Sequence, residues 1–182
     1  HRELHSFPTR RSSDLAMMYI IINSVNYTEI RNLTFMPEVD VIGDAIPINE
    51  FNVEIKTTTE ISVGQFAYLY DDLDQLWAKF WIVFADTVDE VFVQVKAQSP
   101  ICLLDREPLL PAVIYTNATG IQTALTPVFA RLSGISSYSI DPNLINKSVK
   151  GYCPEQTPRE RLQWICYVAG AYIKQSFTDK NS

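Results

Sequence analysis

Apolar and polar residues alternate over several short segments in the first half of the chain, which is typical of half-buried β-strands. The clearest case is Phe51, Val53 and Ile55, whose neighbours in the chain are polar. Short, aspartate-containing connections separate the later segments, so consecutive strands should pair antiparallel. The pattern predicts an antiparallel β-meander or small barrel. The predicted strands cover residues 18–22, 33–36, 51–57, 66–70, 75–84 and 90–97.

The segment 75–84 is apolar on both faces except at Lys79, so it should be a central strand that is covered on both sides. Trp77 and Trp81 are four residues apart, which predicts that they share one face of this strand. Core or subunit-interface packing is the simpler role for such a pair. A platform on which a sugar stacks is the alternative.

The pattern changes at residue 99, and helical periods replace alternation. Residues 100–106 form one predicted short helix. Thr119 is the predicted cap of a second helix over residues 121–132, which Pro127 should kink or split and Gly134 should end. The polar stretch 23–32 and the proline-containing stretch 37–47 lack such periods and indicate turns or loops. Two further short strands are expected at residues 137–140 and 148–152.

The stretch 151–177 has the clearest start and stop signals. Thr157 and Glu160 form a T-x-x-E capping box around a first-turn proline, and Gly170 follows where a left-handed residue ends a helix. Between them, an apolar stripe runs through the helix at the spacing i, i+3, i+4, i+7. A last strand is predicted over residues 171–177. The stripe residues are Leu162, Ile165, Cys166 and Ala169.

The two ends of the sequence predict an artefact at the N-terminus and an incomplete fold at the C-terminus. Residues 5–15, HSFPTRRSSDL, resemble a translated sequencing adapter, so residues 1–16 are expected to be a disordered artefact. The remainder divides into an antiparallel β domain, 17–98, and an α/β segment, 99–182. A hairpin turn with no returning strand closes the sequence, so the fold is expected to be α+β, incomplete at the C-terminus, and part of a longer protein.

Charge and composition exclude several partners. The chain carries a net charge of −6, and residues 1–16 contribute +1, so the rest carries −7 without a basic stripe. Such a surface is a poor match for nucleic acid. No stretch approaches the ~20 apolar residues of a membrane span. Three unpaired cysteines are expected to be reduced packing residues.

Catalytic constellations are missing from the sequence. Both histidines, His1 and His5, fall in the adapter-like segment, so no Ser-His-Asp or Cys-His pair can form in the rest. Three cysteines cannot close an all-cysteine zinc site, and no glycine-rich nucleotide fingerprint occurs. We therefore expect no enzymatic activity, no catalytic residue and no cofactor.

Two acidic clusters are candidate sites. Asp71, Asp72 and Asp74 could hold a hard cation such as Ca²⁺, but aspartates also stabilise turns, which is the simpler role between two strands. The run Asp105-Arg106-Glu107 could be an activated carboxylate pair. A solvated helix end with a local ion pair is the simpler interpretation.

Three segments of the chain carry a family resemblance. They are WAKFWIVFAD…VFVQVKAQSPICLLDRE (77–107), TNATGIQTALTPVF (116–129) and GYCPEQTPRERLQWICYVAGAYIKQS (151–176). All three resemble the hub proteins near the tail tip of long-tailed phages and related prophages. These are packing motifs, so no catalytic residue carries over.

The resemblance implies a structural role in the virion tail. Such hub or baseplate proteins are similar to small β-barrels, assemble as a ring that is usually a trimer, and join the tail tube to the tip or fibre. The protein would be made in the bacterial host cytoplasm and would contact other tail proteins. Two alternatives stay open: the N-terminal part of a tail-associated peptidoglycan hydrolase whose catalytic domain is missing, and a surface-carbohydrate binding module.

Overall fold

The computed structural model describes residues 18–36, 46, 48–130 and 138–173. Within them, a seven-stranded sheet is followed by a smaller unit of helices and a two-stranded sheet. In chain order the elements are β1 (Tyr19–Ile22), β2 (Val25–Tyr27), β3 (Ile30–Met36), β4 (Glu50–Lys56), β5 (Phe66–Tyr70), β6 (Leu76–Thr87), β7 (Phe92–Gln98), a 3-10 helix (Pro100–Asp105), β8 (Val113–Gly120), α1 (Ile121–Phe129), β9 (Ser148–Cys153) and α2 (Pro158–Ala169).

The large sheet is antiparallel throughout, in the order β2-β1-β5-β6-β7-β4-β3. The predicted α+β class is therefore confirmed, as is the meander of β5, β6 and β7. The described strands do not close into a barrel, because β2 and β3 lie at opposite edges of the sheet. The 12-residue strand β6 occupies the middle position, as its two-sided apolar pattern predicted.

One face of the large sheet carries the first hydrophobic core. The alternation predicted for β4 is observed, since Phe51, Val53 and Ile55 are buried and the residues between them are not. Phe80 of β6 is fully buried and stacks on Phe51 with 4.7 Å between ring centroids. Strands β1, β5 and β7 complete this core with Ile20, Ile22, Ala67, Leu69, Val93, Val95 and Ala97.

The second hydrophobic core joins the 3-10 helix, α1, α2 and β9, and part of it rests on the other face of β6. Phe66 and Trp81 pack against this core and meet edge-on at 4.8 Å. Lys79 of β6 is buried as well, with 6% of its surface exposed, and its ammonium group lies 4.3 Å from the centre of the Phe66 ring. The covering predicted for this strand thus holds in its first half, while Phe84 further along is 40% exposed. The division at residues 98 and 99 stays a prediction.

The N-terminal part of the sheet is more extended than predicted. Residues 23–32 were expected to be turn-like, but they contain β2 and the start of β3. Asn23 and Ser24 alone make the turn, both with positive φ (51° and 67°), which reverses the chain tightly enough for β1 and β2 to pair. Asn32, also at positive φ (52°), marks a bulge that the alternation did not indicate. Most of the predicted loop 37–47 lies outside the described residues.

Several predictions for the second half need correction. Thr119 does not cap α1: it belongs to β8, which runs on to Gly120, and the first helical N–H, of Ile121, donates to the Lys147 carbonyl instead. The helix ends at Phe129 with Pro127 inside it, whereas the predicted stop at residue 134 lies outside the described residues. Residues 138–140 and 171–173 are not strands, and the remainder of these two predicted strands is not described.

Helix α2 forms as its end signals predicted. The Thr157 hydroxyl accepts from the Glu160 N–H at 3.2 Å, and the Glu160 carboxylate accepts from the Thr157 N–H at 2.8 Å. Gly170 ends the helix at φ 61°, and the Ala171 N–H then bonds to the Cys166 carbonyl at 2.8 Å. This end motif turns the chain away, so the expected strand does not start at residue 171.

Candidate functional site: an aromatic trough beside the C-terminal helix

The buried stripe of α2 determines which side chains it presents to solvent. Leu162, Ile165 and Ala169 pack into the second core, with Cys166 half-buried beside them. Trp164 and Tyr167, three residues apart, fall on another face of the helix. Tyr167 is 75% exposed, an unusually open position for a large aromatic side chain.

These rings line an open cavity of about 480 Å³, which we name the aromatic trough. The α2 side chains form one wall, and the loop between β9 and α2 forms the other. The trough is lined by Pro154, Glu155, Gln156, Glu160, Gln163, Trp164 and Tyr167.

The loop wall of the trough is anchored by hydrogen bonds. Gln156 forms a two-way backbone bridge with Leu110, at 2.8 and 3.2 Å, and its side-chain amide donates to the Cys153 sulfur at 3.0 Å. Arg161, only 2% exposed, donates to the carbonyls of Pro111 at 2.7 Å and Pro154 at 3.1 Å. The guanidinium group therefore ties two loops to α2 and holds the trough in shape.

The α2 wall of the trough is also held in place. The ring of Trp164 stacks on Tyr115 of β8, with 6.0 Å between centroids and 26° between planes. Strand β8 pairs with β9, and this places Ile114 opposite Tyr152 on the outer face of the small sheet, 65% and 61% exposed. These two side chains form an exposed apolar pair on the small sheet.

The electrostatics of the trough are acidic. Two carboxyl groups, those of Glu155 and Glu160, line it, and no lysine or arginine is among the described residues of the lining. Nearby thiols are not activated: burial raises the pKa of Cys166 to about 11 and also raises the pKa of Cys153, the latter against the opposing effect of Arg161. Burial likewise raises the pKa of Cys102 to about 11. All three thiols are protonated at neutral pH, so none is a ready nucleophile.

The aspartates considered as a cation site work as turn residues in the structure. Asp71 accepts from the N–H groups of Leu73 at 3.0 Å and Gln75 at 2.9 Å, while Asp74 accepts from the Tyr19 hydroxyl at 2.8 Å. Asp72 is exposed in the same turn. No group of three or more side chains suited to bind a metal is found in the described part of the chain.

The acidic run at the end of the 3-10 helix does not form a local ion pair. Asp105 instead pairs with Arg159 of α2, which is 54 residues away in sequence, at 2.8 Å between Oδ1 and Nε. Arg159 also donates to the Ile46 carbonyl at 3.2 Å. The predicted local ion pair, which Arg106 would have formed, is therefore wrong. The sequence around Asp105 does not reveal that α2 packs across this helix end.

The tryptophans of β6 do not share a face, contrary to the prediction. The pairing of β5 with β6 shifts between Leu69 and Tyr70, leaving Trp77 as an extra residue in β6. Trp77 consequently turns into the first core, edge-on to Phe35 at 5.7 Å, whereas Trp81 packs against the second core. Both are half-buried, so they do not form a joint sugar platform.

The sequence interpretation missed the aromatic trough. A signal was present, since Trp164 and Tyr167 lie three residues apart and off the apolar stripe of α2. The spacing alone does not show whether another element covers such a pair. The loop wall could not be found this way, because Arg161 reaches Pro111 across 50 residues of sequence.

None of the helices in the described residues combines the length and apolar character that crossing a bilayer requires.

No family model matches the chain, and no curated protein matches it. Solved structures do resemble it. A tail protein from Neisseria meningitidis MC58 matches with a TM-score of 0.59 at 12% identity, over 85% of this chain and 44% of that one.

A second similar structure is the 43 kDa tail protein of prophage MuSo2 from Shewanella oneidensis. It matches with a TM-score of 0.56 at 10% identity, over 85% of this chain and 49% of the other. The chain thus spans less than half the length of either protein. At these identities the likeness shows that the fold is the one found in two phage tail proteins.

Proposed function

We propose that this chain is a structural component of a phage or prophage tail, acting in the hub or baseplate that links the tail tube to the tip or fibre. The observation that carries this proposal is the shared fold, which covers 85% of the chain in each of two tail proteins. The resemblance of three sequence segments to tail hub proteins points the same way, and it rests on different evidence from the fold. Fold alone does not fix function, so the role needs a direct test.

The chemistry of the chain supports a non-catalytic role. Outside residues 1–16 the sequence contains no histidine. The cysteine thiols have raised pKa values. We accordingly propose that the described part of the chain is not an enzyme. Purified protein incubated with peptidoglycan should release no soluble fragments, and measurable cell-wall turnover would contradict this.

The proposed assembly is a ring of identical subunits, with three copies as the expected number. Rings place one surface of each subunit against a different surface of the next. Light scattering after size exclusion should give a mass near three chains at micromolar concentration, and negative-stain images should show closed rings. A monomer under these conditions would contradict the hub assignment.

Tail membership itself is tested on particles. Tails purified from an induced culture that encodes the chain should contain its peptides by mass spectrometry. Gold-labelled antibody raised against the purified chain should bind at the tail tip. Label along the whole tube would contradict the hub position, and absence of the peptides from the particles would contradict tail membership.

A further inference from the structure

We infer that the aromatic trough binds a neutral saccharide. This function goes beyond a purely structural tail role and does not depend on it. The binding residues are the rings of Trp164 and Tyr167, with the polar groups of Glu155, Glu160 and Gln163 at the rim. It is a different site from the tryptophan pair of β6, which the structure separates.

Two aromatic rings on adjacent turns suit the apolar face of a sugar ring. The axial C–H groups of a pyranose form a flat, weakly positive patch, which packs against the electron-rich face of an aromatic ring. Trp164 is held by its stack on Tyr115 and Tyr167 stands 75% exposed one turn further on, so both rings border the same cavity. At about 480 Å³, the trough lies in the ~300–1,000 Å³ range of small-molecule sites.

The polar rim matches hydroxyl groups. Carboxylates accept two hydrogen bonds from neighbouring hydroxyls, while a glutamine amide both donates and accepts. The capping box uses Oε2 of Glu160, which leaves Oε1 for a ligand. Glu155 lies on the exposed loop wall opposite.

Charge selects the class of sugar. Among the described residues, the lining combines two carboxylates with no cationic side chain, so a uronate, sialylated or phosphorylated glycan would be repelled. A neutral glycan loses nothing to this repulsion and gains strong acceptors for its hydroxyls.

The preformed shape favours a small rigid ligand over a protein partner. Both walls are anchored, one by the capped helix and the other by the Leu110 bridge and Arg161. A ligand that enters such a site loses little binding free energy to reorganising the protein. The trough also has polar side chains in its lining, whereas the exposed apolar pair of the small sheet lies outside that lining.

The test is a printed glycan array carrying neutral and uronate-containing bacterial glycans, probed with the purified full chain and followed by titration of tryptophan emission. Wild-type protein should bind neutral members and no acidic ones. Tyr167→Ala should weaken binding by about tenfold or more, and Trp164→Ala should abolish it. Tyr172→Ala is the matched control, because Tyr172 is 80% exposed but does not line the trough, and it should bind like wild type.

Several outcomes would overturn the inference. They are the absence of binding to any neutral glycan, a preference for acidic glycans, and equal losses in Tyr167→Ala and Tyr172→Ala. If the array is blank and Tyr167→Ala dissociates an oligomer in light scattering, the trough is a subunit interface and does not bind sugar. Because Tyr167 is so exposed, its replacement should leave the melting temperature unchanged, which separates lost binding from lost folding. Particle labelling tests the tail role separately, so either proposal can fail alone.

Discussion

Phe80 is the residue whose removal should damage the large sheet most. Its ring is fully buried on the central strand, stacks on Phe51 at 4.7 Å and meets Phe35 edge-on at 5.6 Å. A buried Phe→Ala change costs about 3–5 kcal/mol through lost burial and the cavity left behind. The aromatic pairs add roughly 0.5–1.5 kcal/mol beyond their buried area. We expect Phe80→Ala to lower the free energy of unfolding by about 4–6 kcal/mol.

Phe84 on the same strand is the matched control. It is 40% exposed, and its main specific contact is the Lys96 ammonium group 5.3 Å from the ring centre. An exposed cation–π contact contributes about 0.5–1 kcal/mol, so Phe84→Ala should cost about 1 kcal/mol. The two variants remove the same side chain from one strand and differ mainly in burial.

Urea unfolding followed by circular dichroism measures the difference. With a urea slope of about 2 kcal/mol/M, Phe80→Ala should lower the midpoint by roughly 2–3 M and Phe84→Ala by about 0.5 M. If Phe80→Ala does not fold at all, Phe80→Leu should show a smaller loss in the same direction. Equal midpoints for the Phe80 and Phe84 variants would refute the assignment of the first core.

Further predictions concern the helix ends, the second core and one tyrosine. Gly170→Ala should destabilise by about 1 kcal/mol, because Gly170 has φ 61°, whereas Gly120→Ala, at negative φ with open space around a Cβ, should be neutral or slightly stabilising in thermal melts. Leu162→Asp should unfold the C-terminal unit by burying an unpaired charge at a position 3% exposed, and soluble protein with an unchanged melt would contradict the helical face. The hydrogen bond to Asp74 raises the pKa of Tyr19 to about 12, so Asp74→Asn should lower it in an ultraviolet titration. Because this pKa is raised in the folded state, its contribution to stability is complete below about pH 10 and is lost as the pH rises through 12.

Local signals predicted local structure well. The alternation of Phe51, Val53 and Ile55 identified β4 and its buried face. Alternate side chains of a strand point to opposite faces, so a strand with one solvent-exposed face is recognisable from its own sequence. The capping box of Thr157 and Glu160 likewise identified the start of α2, since all of its hydrogen bonds close within four residues.

Pairing between strands was not predictable to the same degree. The bulge at Trp77 exists only in the register of β6 against β5, and a period-two pattern contains no information about an inserted residue. Because of this one inserted residue, Trp77 and Trp81 pack against different cores and do not form the candidate sugar platform. The ion pair of Asp105 with Arg159 was missed for a similar reason, since it depends on how α2 crosses the 3-10 helix.

The aromatic trough shows where a sequence signal becomes interpretable only through the fold. Trp164 and Tyr167 could be placed off the apolar stripe from sequence alone, but an off-stripe aromatic could be covered by another element. The structure shows that Tyr167 remains exposed and that Tyr115 supports Trp164 from one side. Arg161 holds the loop at Pro154 against α2, and this loop forms the second wall of the trough. Arg161 is a buried cation that donates to two backbone carbonyls and also interacts with the Cys153 thiol, and burying a charge is costly. Its position beside the trough therefore links the stability of this unit to the shape of the proposed site. Arg161→Met should therefore weaken saccharide binding even in protein that still folds.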